Sequence, residues 1–141
     1  MSNTFNLEIM ASNRSFYSGP ATIINLPTTE GRVGVMAHHA NTVMAVVPGE
    51  IDFVMCNEKG SGQERKYAAV SGGIIRIENN DVLLLVDTCE SPEEIDIERA
   101  KRAEAEAREA MLQKKSKQEY LSARAQLSRA MNRIAVAKKK R

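Results

Sequence analysis

Hydrophobic and polar positions alternate along the first two thirds of the chain with the period of a β-strand. The segment FNLEIMA places Phe5, Leu7 and Ile9 on one face, because successive side chains of a strand point to opposite faces. Further short segments rich in strand-forming residues follow: ATIINL, RVGVM, TVMAVV, EIDFVMC, RKYAAVS, GIIRIE and DVLLLVDT. The pattern predicts a series of short strands without intervening helices.

Turn-forming residues separate these segments. They are Ser18-Gly19-Pro20, Pro27 to Gly31, Pro48-Gly49, Gly60-Ser61-Gly62, Gly72-Gly73 and Asn79-Asn80. Asparagine tolerates positive φ, so Asn79-Asn80 suits a tight two-residue hairpin. Strands of this length and spacing predict an antiparallel β-sandwich or flattened barrel over residues 1–90.

The period changes to that of a helix at residue 91. Ser91-Pro92-Glu93-Glu94 has the form of a capping box with proline at the first helical position. Ile97 and the alanines at 100, 103, 107 and 110 then recur with helical spacing. We therefore predict a helix that has Ser91 as its N-cap and Pro92 as its first residue.

A second helix is predicted after Lys114-Lys115. Ser116 and Glu119 form a second capping box. An apolar stripe follows, made of Tyr120, Ala123, Leu127, Ala130, Ile134 and Ala137. The short connection predicts an antiparallel helical hairpin over residues 91–141. The fold class is therefore α+β, with a β-sandwich domain at 1–90 and a helical hairpin domain at 91–141.

Charge divides the chain at the same place. Residues 1–90 carry six Lys or Arg against ten Asp or Glu, a net charge of −4, whereas residues 91–141 carry fourteen against eight, a net charge of +6. Within the second part, residues 93–109 have a net charge of −3, and residues 111–141 hold ten basic residues against Glu119 alone. An acidic first helix and a basic second helix favour antiparallel packing.

The alanine seam makes the predicted hairpin marginal. Alanine allows close approach of two helices but buries roughly a third of the apolar area of leucine, at about 25 cal/mol per Å². Opening the hairpin should therefore cost only a few kcal/mol, which a ligand or a partner can supply.

Signals of catalysis are weak in residues 1–90. The segment GSGQERK lacks the Gly-Lys-Ser/Thr of a phosphate-binding loop and is interpreted as a hairpin tip. His38 and His39 are adjacent, so in a strand they would face opposite ways and could not chelate one metal. Cys56 and Cys89 match no metal or redox spacing and are interpreted as buried free thiols. We predict a non-catalytic scaffold or binding domain, with no metal site.

Arginines and one carboxylate are predicted to converge in the hairpin. If the chain folds about Lys114-Lys115, Arg133 comes opposite Asp96, and Arg129 comes opposite the small Ala100, with Arg99 one turn from Asp96. Three guanidinium groups beside one carboxylate leave positive charge unbalanced, which suits a polyphosphate. The alternative is that these residues form ordinary salt bridges on a solvated hairpin.

No segment has the length and hydrophobicity of a membrane span, since no apolar run approaches about 18 residues. The N-terminal segment MSNTFNLEIM lacks the basic and apolar regions of a signal peptide. We expect a cytosolic protein without direct membrane insertion.

The chain resembles the epsilon subunit of bacterial F-type ATP synthases over its full length. The matching segments are EGRVGVMAHHANTVMAV, VVPGEIDF, VSGGIIRIENNDVLLLVDT and IDIERAKRA, in the family's order. The resemblance implies a β-sandwich that binds the gamma subunit of the central stalk and the c-ring of the membrane sector. It also implies a location at the cytoplasmic face of the bacterial cell membrane, as a peripheral protein.

The resemblance further implies that the C-terminal hairpin regulates ATP hydrolysis and binds ATP. Some epsilon subunits bind ATP through a motif of the form I/L-D-x-x-R-A, which stands here as Ile95, Asp96, Arg99 and Ala100. The family's upstream glutamate falls on Glu90, and its two arginines of the second helix fall on Arg129 and Arg133. ATP would be a regulatory ligand, and no cofactor is required. The chain departs from the family at Glu106, where a basic residue is expected, although Arg102 could compensate.

Two further contact sets follow from the resemblance. Residues 30–41 match the family's loop that faces the c-ring, with Glu30, Arg32 and His39 as its polar contacts, although Ala37-His38 replaces the usual Pro-Gly. In an extended state the second helix would insert between the catalytic α and β subunits through Arg124, Arg129 and Arg133. The chain would thereby couple ion flow to ATP synthesis as part of the rotor and inhibit hydrolysis.

Two other function classes compete with a rotor subunit. One is a free-standing ATP sensor whose hairpin closes on the nucleotide. The other is a nucleic-acid binder that uses the basic tail AVAKKKR. The second is disfavoured because the chain has few aromatic side chains to stack bases and no recognition motif.

Overall fold

The computed structural model describes residues 3–57, 59–113 and 116–139. Nine strands come first: β1 (Phe5–Ala11), β2 (Arg14–Thr28), β3 (Gly31–Met36), β4 (Thr42–Val46), β5 (Gly49–Met55), β6 (Glu64–Val70), β7 (Gly73–Glu78), β8 (Asp81–Val86) and β9 (Cys89–Glu90). A single 3₁₀ turn (Pro92–Glu94) and two helices follow, α1 (Ile97–Gln113) and α2 (Lys117–Ala137). The predicted β-sandwich followed by two helices is confirmed.

The long strand β2 connects the layers of the sandwich. Its first half pairs with β1, and its second half has β3 on one edge and β5 on the other. The strands follow the order β1-β8-β7-β4-β2-β5-β6-β9, with β3 beside β2. Among the described strands all pairings are antiparallel except that of β1 with β8, which is parallel. The antiparallel pairing predicted from the sequence is therefore confirmed, except at this one pair.

The core follows the predicted alternation. Phe5, Leu7 and Ile9 of β1 are buried while the residues between them are exposed. Ile51 and Phe53 of β5 and Ile75 of β7 enter the same cluster. The period-2 pattern thus identified the inward face of β1 correctly, because burial of that face selects the register.

The predicted turn at Ser18-Gly19-Pro20 is wrong, since these residues lie inside β2. Gly19 pairs with Leu7, and Pro20 pairs with Asn6. The Tyr17 hydroxyl donates to the Pro20 carbonyl at 2.6 Å, and the Tyr17 side chain lies over Gly19. Long-range pairing with β1 therefore overrides the local turn chemistry.

The hairpin turn at Asn79-Asn80 is confirmed. The φ angles of the two asparagines are 50° and 69°, which is the left-handed geometry of a two-residue turn between β7 and β8.

The start of the first helix differs from the prediction. Glu94 accepts hydrogen bonds from the N–H and the hydroxyl of Ser91, at 3.1 Å and 2.9 Å. This cap heads only the 3₁₀ turn, because Ile95 then has extended backbone (φ −80°, ψ 124°). α1 begins at Ile97, five residues later than the predicted first helical residue, Pro92, and it has an N-cap of its own.

The predicted seam of alanines is largely confirmed. α1 and α2 pack against each other, with Ala100, Ala107, Ala123 and Ala130 buried. The prediction is wrong for Ala110 and for Tyr120, which are exposed. The N-cap of α2 is confirmed, since the Ser116 hydroxyl accepts from the Glu119 N–H at 3.0 Å. The predicted fold point, Lys114-Lys115, lies outside the described residues.

The chain divides into two compact units, residues 1–90 and residues 91–141, called here the sandwich unit and the helical unit. None of the described helices is long and apolar enough to cross a membrane. Both cysteines are free thiols; Cys89 is buried as predicted, whereas Cys56 is only half-buried.

Candidate functional site

Asp96 is the N-cap of α1. Its side-chain Oδ1 accepts a hydrogen bond from the backbone N–H of Arg99 at 3.1 Å, and its carbonyl accepts from the N–H of Ala100 at 3.0 Å. The side chain of an N-cap satisfies one of the N–H groups that the first helical turn leaves without an intrahelical partner. The acidic residue of the I-D-x-x-R-A segment therefore has a structural role. It caps the helix that begins directly after the extended residue Ile95 and Asp96 itself.

The three candidate arginines lie on both helices of the pair. Arg99 on α1 and Arg129 on α2 are exposed, while Arg133 is half-buried with its Nε enclosed by protein. In the described part of the chain no ion pair joins the Asp96 carboxylate to the guanidinium of Arg99 or Arg129. The alternative prediction of a salt bridge to Asp96 is therefore not supported for Arg99 and Arg129.

Ala100 of α1 is fully buried. α1 and α2 pack against each other, and a small side chain at a buried position allows two helices to approach closely. Ile95 is also buried, and Glu90 is half-buried at the end of β9, where it pairs with Ala69. The convergence of the guanidinium groups on one ligand stays a prediction.

Other charged groups of the helical unit are exposed. Glu106 and Arg102 are both exposed on α1. Glu106 stands at the position where the family resemblance implies a basic residue. Arg124 is exposed on α2. Arg108 contacts both helices: it pairs with Glu104 at 3.1 Å, and its Nη2 lies 3.9 Å from the sulfur of Met131 on α2. Arg108 is a polar link across the helix pair that sequence reasoning missed.

The predicted c-ring residues are not brought to one point. Glu30 lies in the turn between β2 and β3, where the Thr28 hydroxyl accepts from its N–H at 3.2 Å and donates to the Gly31 carbonyl at 2.7 Å. Arg32 follows in β3, and His39 lies beyond the other end of that strand. The segment between them, interpreted as a loop, is therefore a six-residue strand, about 16 Å long.

Asparagine side chains hold the loop that carries the two histidines. The Asn80 Oδ1 accepts from the N–H of His38 at 2.7 Å, and the Asn41 Oδ1 accepts from the N–H of Asn79 at 2.9 Å. His38 has a φ of 64°. The β7–β8 turn thus holds this loop at His38 and Asn41, on either side of His39, through hydrogen bonds between side chains and backbone.

Apolar side chains cross the outer face of four neighbouring strands. Met10, Leu85, Ile74 and Ala45 are paired in this order across β1, β8, β7 and β4, and all four are exposed. Val43, two residues before Ala45 on β4, is 63% exposed. We call these five residues the apolar row. Contiguous exposed apolar surface of this kind marks an interaction site.

Polar residues border the apolar row. A shallow groove lined by Asn6, Glu8, Arg76 and Asp81 lies beside it. An apolar centre with a polar rim is the usual anatomy of a protein–protein interface. The sequence hid this surface because the same alternation that predicts strands assigns Ile74 and Leu85 to an outer face expected to be polar.

A buried carboxylate was also missed. Asp52 of β5 is 9% exposed. Its Oδ2 accepts from Arg32 at 2.7 Å, and its Oδ1 accepts from Asn25 at 2.8 Å and from Arg65. Nothing in the segment EIDFVMC separates this aspartate from an ordinary outward-facing polar residue, so only the pairing of β2, β5 and β6 identifies it.

The described residues contain no group of three or more His, Cys, Asp or Glu side chains arranged to hold a metal ion.

A β-sandwich followed by a close-packed helix pair, with an apolar row on one sheet face, defines the architectural class. Comparison with known proteins gives the family. Residues 4–92 match the model of the ATP synthase delta/epsilon chain β-sandwich domain, and residues 93–138 match that of the ATP synthase delta/epsilon chain long α-helix domain. The chain belongs to the family of ATP synthase delta and epsilon chains.

Full-length relatives carry the epsilon name. The chain is 39% identical to the ATP synthase epsilon chain of Ruminiclostridium cellulolyticum, over 98% of each chain. It is 37% identical to that of Caldanaerobacter subterraneus, over 99% of this chain and 97% of the relative. The resemblance to epsilon subunits seen in the sequence is confirmed.

Two solved structures share the fold. A chain of the Euglena gracilis mitochondrial ATP synthase superposes with a TM-score of 0.81 at 23% identity, covering 96% of this chain and 82% of that one. A chain from the central stalk and c-ring of the Tetrahymena thermophila enzyme superposes with a TM-score of 0.57 at 9% identity, covering 98% and 96%. Both arrangements support the β-sandwich and helix pair as the family fold.

Proposed function

We propose that the chain is the rotor epsilon subunit of a bacterial F-type ATP synthase, at the cytoplasmic face of the cell membrane. It has no chemistry of its own. Its sandwich unit would attach to the gamma subunit and the c-ring, so that ion flow through the membrane sector drives ATP synthesis in the catalytic head. Its helical unit would regulate ATP hydrolysis. The observation that carries the proposal is the apolar row.

The apolar row is the surface that we assign to the gamma subunit. Four neighbouring strands span about 14 Å, since adjacent strands lie about 4.8 Å apart. Ile74 and Val43 are 45% and 63% exposed, so docking of a partner on this face would remove apolar area from water. The polar groove of Glu8 and Arg76 supplies the rim.

We assign the c-ring contact to the end of the β2–β3 hairpin, with Glu30 and Arg32, and to the loop with His39. Glu30 is exposed in its turn. His39 lies beyond the other end of β3. It would therefore contact the c-ring at a separate point, or it would contact the gamma subunit.

ATP would bind to the closed helix pair through Asp96, Arg99, Arg129 and Arg133, with Ile95 beside them. Arg99 is on α1, and the other two arginines are on α2, so a phosphate chain that contacts all three needs both helices close. Asp96 would act by fixing the start of α1 and hence the position of Arg99. Glu106 lowers the local positive charge and should keep the affinity modest.

Opening of the pair would inhibit hydrolysis. α2 has 21 residues and is about 30 Å long at 1.5 Å per residue. Released from α1, it would present Arg124, Arg129 and Arg133 together and insert between the catalytic α and β subunits, beside an acidic segment of the β subunit. Because ATP binds only the closed pair, high ATP favours the non-inhibiting state.

The test of the rotor proposal is binding of the purified gamma subunit to the chain and to two variants. Ile74→Glu places a charge in the apolar row and should weaken gamma binding about tenfold or more. Leu112→Glu is the matched control, because Leu112 is an exposed apolar residue on α1 outside the row, and it should bind like the unmodified chain. Equal gamma affinity of the Ile74→Glu variant would contradict the assignment. A chain that binds ATP but not gamma would favour the free-standing sensor.

A further inference from the structure

The ladder between β2 and β5 ends at Asn25, two residues before Pro27. Asn25 is paired with Asp52, so a continued register would place Pro27 opposite Glu50. Proline has no backbone N–H to donate, so β2 cannot satisfy the Glu50 carbonyl at this position. Gly49 fits beside the proline ring only because it lacks a side chain, since a Cβ there would lie 2.8 Å from the Pro27 Cγ.

Arg32 takes the place of the missing donor. It lies on β3, on the opposite edge of β2 from β5, and its register partner is Pro27 itself. Its Nη1 donates to the Glu50 carbonyl at 2.7 Å, and its Nη2 donates to the Asp52 Oδ2 at 2.7 Å. One guanidinium therefore ties β3 to β5 across β2, directly where the backbone ladder stops.

Two other side chains fix the position of the Asp52 carboxylate. Asn25 donates to its Oδ1 at 2.8 Å, and Arg65 of β6 contacts the same oxygen, which leaves Oδ2 directed at Arg32. The Asn25 side chain lies over Gly34 of β3, where a Cβ would be 2.8 Å from its Oδ1. A carboxylate with several charge-assisted hydrogen bonds and little exposure has a well-defined position.

Beyond the β2–β5 ladder, the end of the β2–β3 hairpin has few other supports. On its β5 side, the N–H of Val47 donates to the Pro27 carbonyl at 3.1 Å, and Thr28 pairs with Val46. In the described residues β3 pairs only with β2. Val35 anchors the far half of β3 in the core. Near the turn, Arg32 is the side chain whose hydrogen bonds connect β3 to β5.

We infer that Asp52 is a positioning residue: through Arg32 it fixes the end of the β2–β3 hairpin, and thereby the c-ring contact carried by Glu30. This inference rests on the proposed function for its c-ring part. It also changes the role of Arg32 from a direct c-ring contact to a support of the turn. Both of its terminal nitrogen atoms, Nη1 and Nη2, donate hydrogen bonds to β5.

Two measurements on the full chain test the inference. The first is hydrogen exchange of the backbone amides of residues 29–33 in the unmodified chain, Asp52→Asn, Arg32→Gln and the double variant. Asp52→Asn should raise exchange at these amides about tenfold, with little change in β1 and β8. The double variant should exchange no faster than Arg32→Gln alone, because Asp52 acts through Arg32.

Lys66→Gln is the matched control, since it removes a positive charge from the same strand, β6, without touching Asp52 or the hairpin. Exchange at residues 29–33 should stay as in the unmodified chain. The inference is overturned if Asp52→Asn leaves these amides unchanged, if it raises exchange equally throughout the sandwich unit, or if Lys66→Gln has the same effect. Should Asp52→Asn fail to fold, Arg32→Gln against Lys66→Gln makes the same comparison.

The second measurement is affinity for the detergent-solubilised c-ring carrying the gamma subunit. Asp52→Asn and Arg32→Gln should each bind about tenfold more weakly, and Lys66→Gln, which removes only an exposed pair with Glu64, should bind normally. If the unmodified chain does not bind, the proposed function fails, while the exchange data still decide whether Asp52 positions the hairpin. If it binds and all variants bind equally, the c-ring part of the inference is wrong.

Discussion

The Oδ1 of Asp96 lies 3.1 Å from the backbone nitrogen of Arg99 and accepts its hydrogen, which makes Asp96 the cap of α1. Both residues belong to the segment that the family resemblance assigns to ATP. The carboxylate therefore has two candidate roles, capping and ligand binding, and substitutions can separate them.

Asp96→Ala should remove the cap and destabilise the helical unit by about 1 kcal/mol, whereas Asp96→Asn keeps a capping side chain and should cost much less. Circular dichroism during urea unfolding and the rate of proteolysis between α1 and α2 would measure this. Equal stability of the alanine and asparagine variants would contradict the capping role.

Binding of ATP should depend on arginines from both helices. Arg99→Ala and Arg133→Ala should each weaken ATP binding by about 1.5–3 kcal/mol, because each removes a charge-assisted contact to phosphate. Arg124→Ala is the control on the same helix as Arg133, and it should leave ATP affinity unchanged in calorimetric titration. Glu106→Arg should tighten binding. Unchanged affinity in the Arg99 and Arg133 variants would remove these residues from a nucleotide site.

The sandwich unit should fold without the helical unit. Its core cluster of buried residues lies entirely within residues 5–89. A fragment of residues 1–90 should therefore unfold in one cooperative thermal transition and still bind the gamma subunit. A fragment that melts without a cooperative transition would show that the core needs the C-terminal residues.

The stability of the sandwich unit should fall at alkaline pH. Burial, with a smaller contribution from Cys56, raises the pKa of Tyr17 above its usual range. The native state then keeps the phenol proton to higher pH than the unfolded chain, so stability is fully present below the ordinary tyrosine pKa and is lost as pH rises above about 10. Urea unfolding midpoints measured across this range would show the loss.

Tyr17→Phe is the control for the alkaline loss. It should remove the Tyr17 part of the pH dependence, at a cost of about 1 kcal/mol near neutral pH for the hydrogen bond to Pro20. A midpoint that falls with pH as steeply in Tyr17→Phe as in the unmodified chain would assign the effect to other groups.

Much of the fold could be predicted because local signals agree with the tertiary structure. The alternation of Phe5, Leu7 and Ile9 and the Asn79-Asn80 turn are examples. The prediction failed where a distant contact decides the conformation. Gly19-Pro20, for example, is extended because it pairs with β1. The first helix was misplaced for a local reason: the cap at Ser91 heads only a 3₁₀ turn, Ile95 is extended, and Asp96 provides the cap of α1.

The candidate sites divide in the same way. The motif of Asp96, Arg99 and Ala100 lies within one segment of six residues, so it could be recognised from the sequence. Asp52 could not be identified, because its partners Arg32 and Arg65 meet it only through the pairing of three strands. The apolar row needs the register of β1, β8, β7 and β4, since no single segment contains more than two of its residues.

The most direct test of the account is ATP hydrolysis by a reconstituted catalytic head of α, β and gamma subunits at low ATP. We expect the full chain to lower the rate, the 1–90 fragment to bind without lowering it, and Arg129→Glu/Arg133→Glu to restore part of the activity. The Ile74→Glu variant should need a higher concentration for the same inhibition, because it attaches to gamma more weakly. If the full chain and the 1–90 fragment give the same hydrolysis rate while both are bound, the helical unit is not an inhibitor and the central claim is wrong.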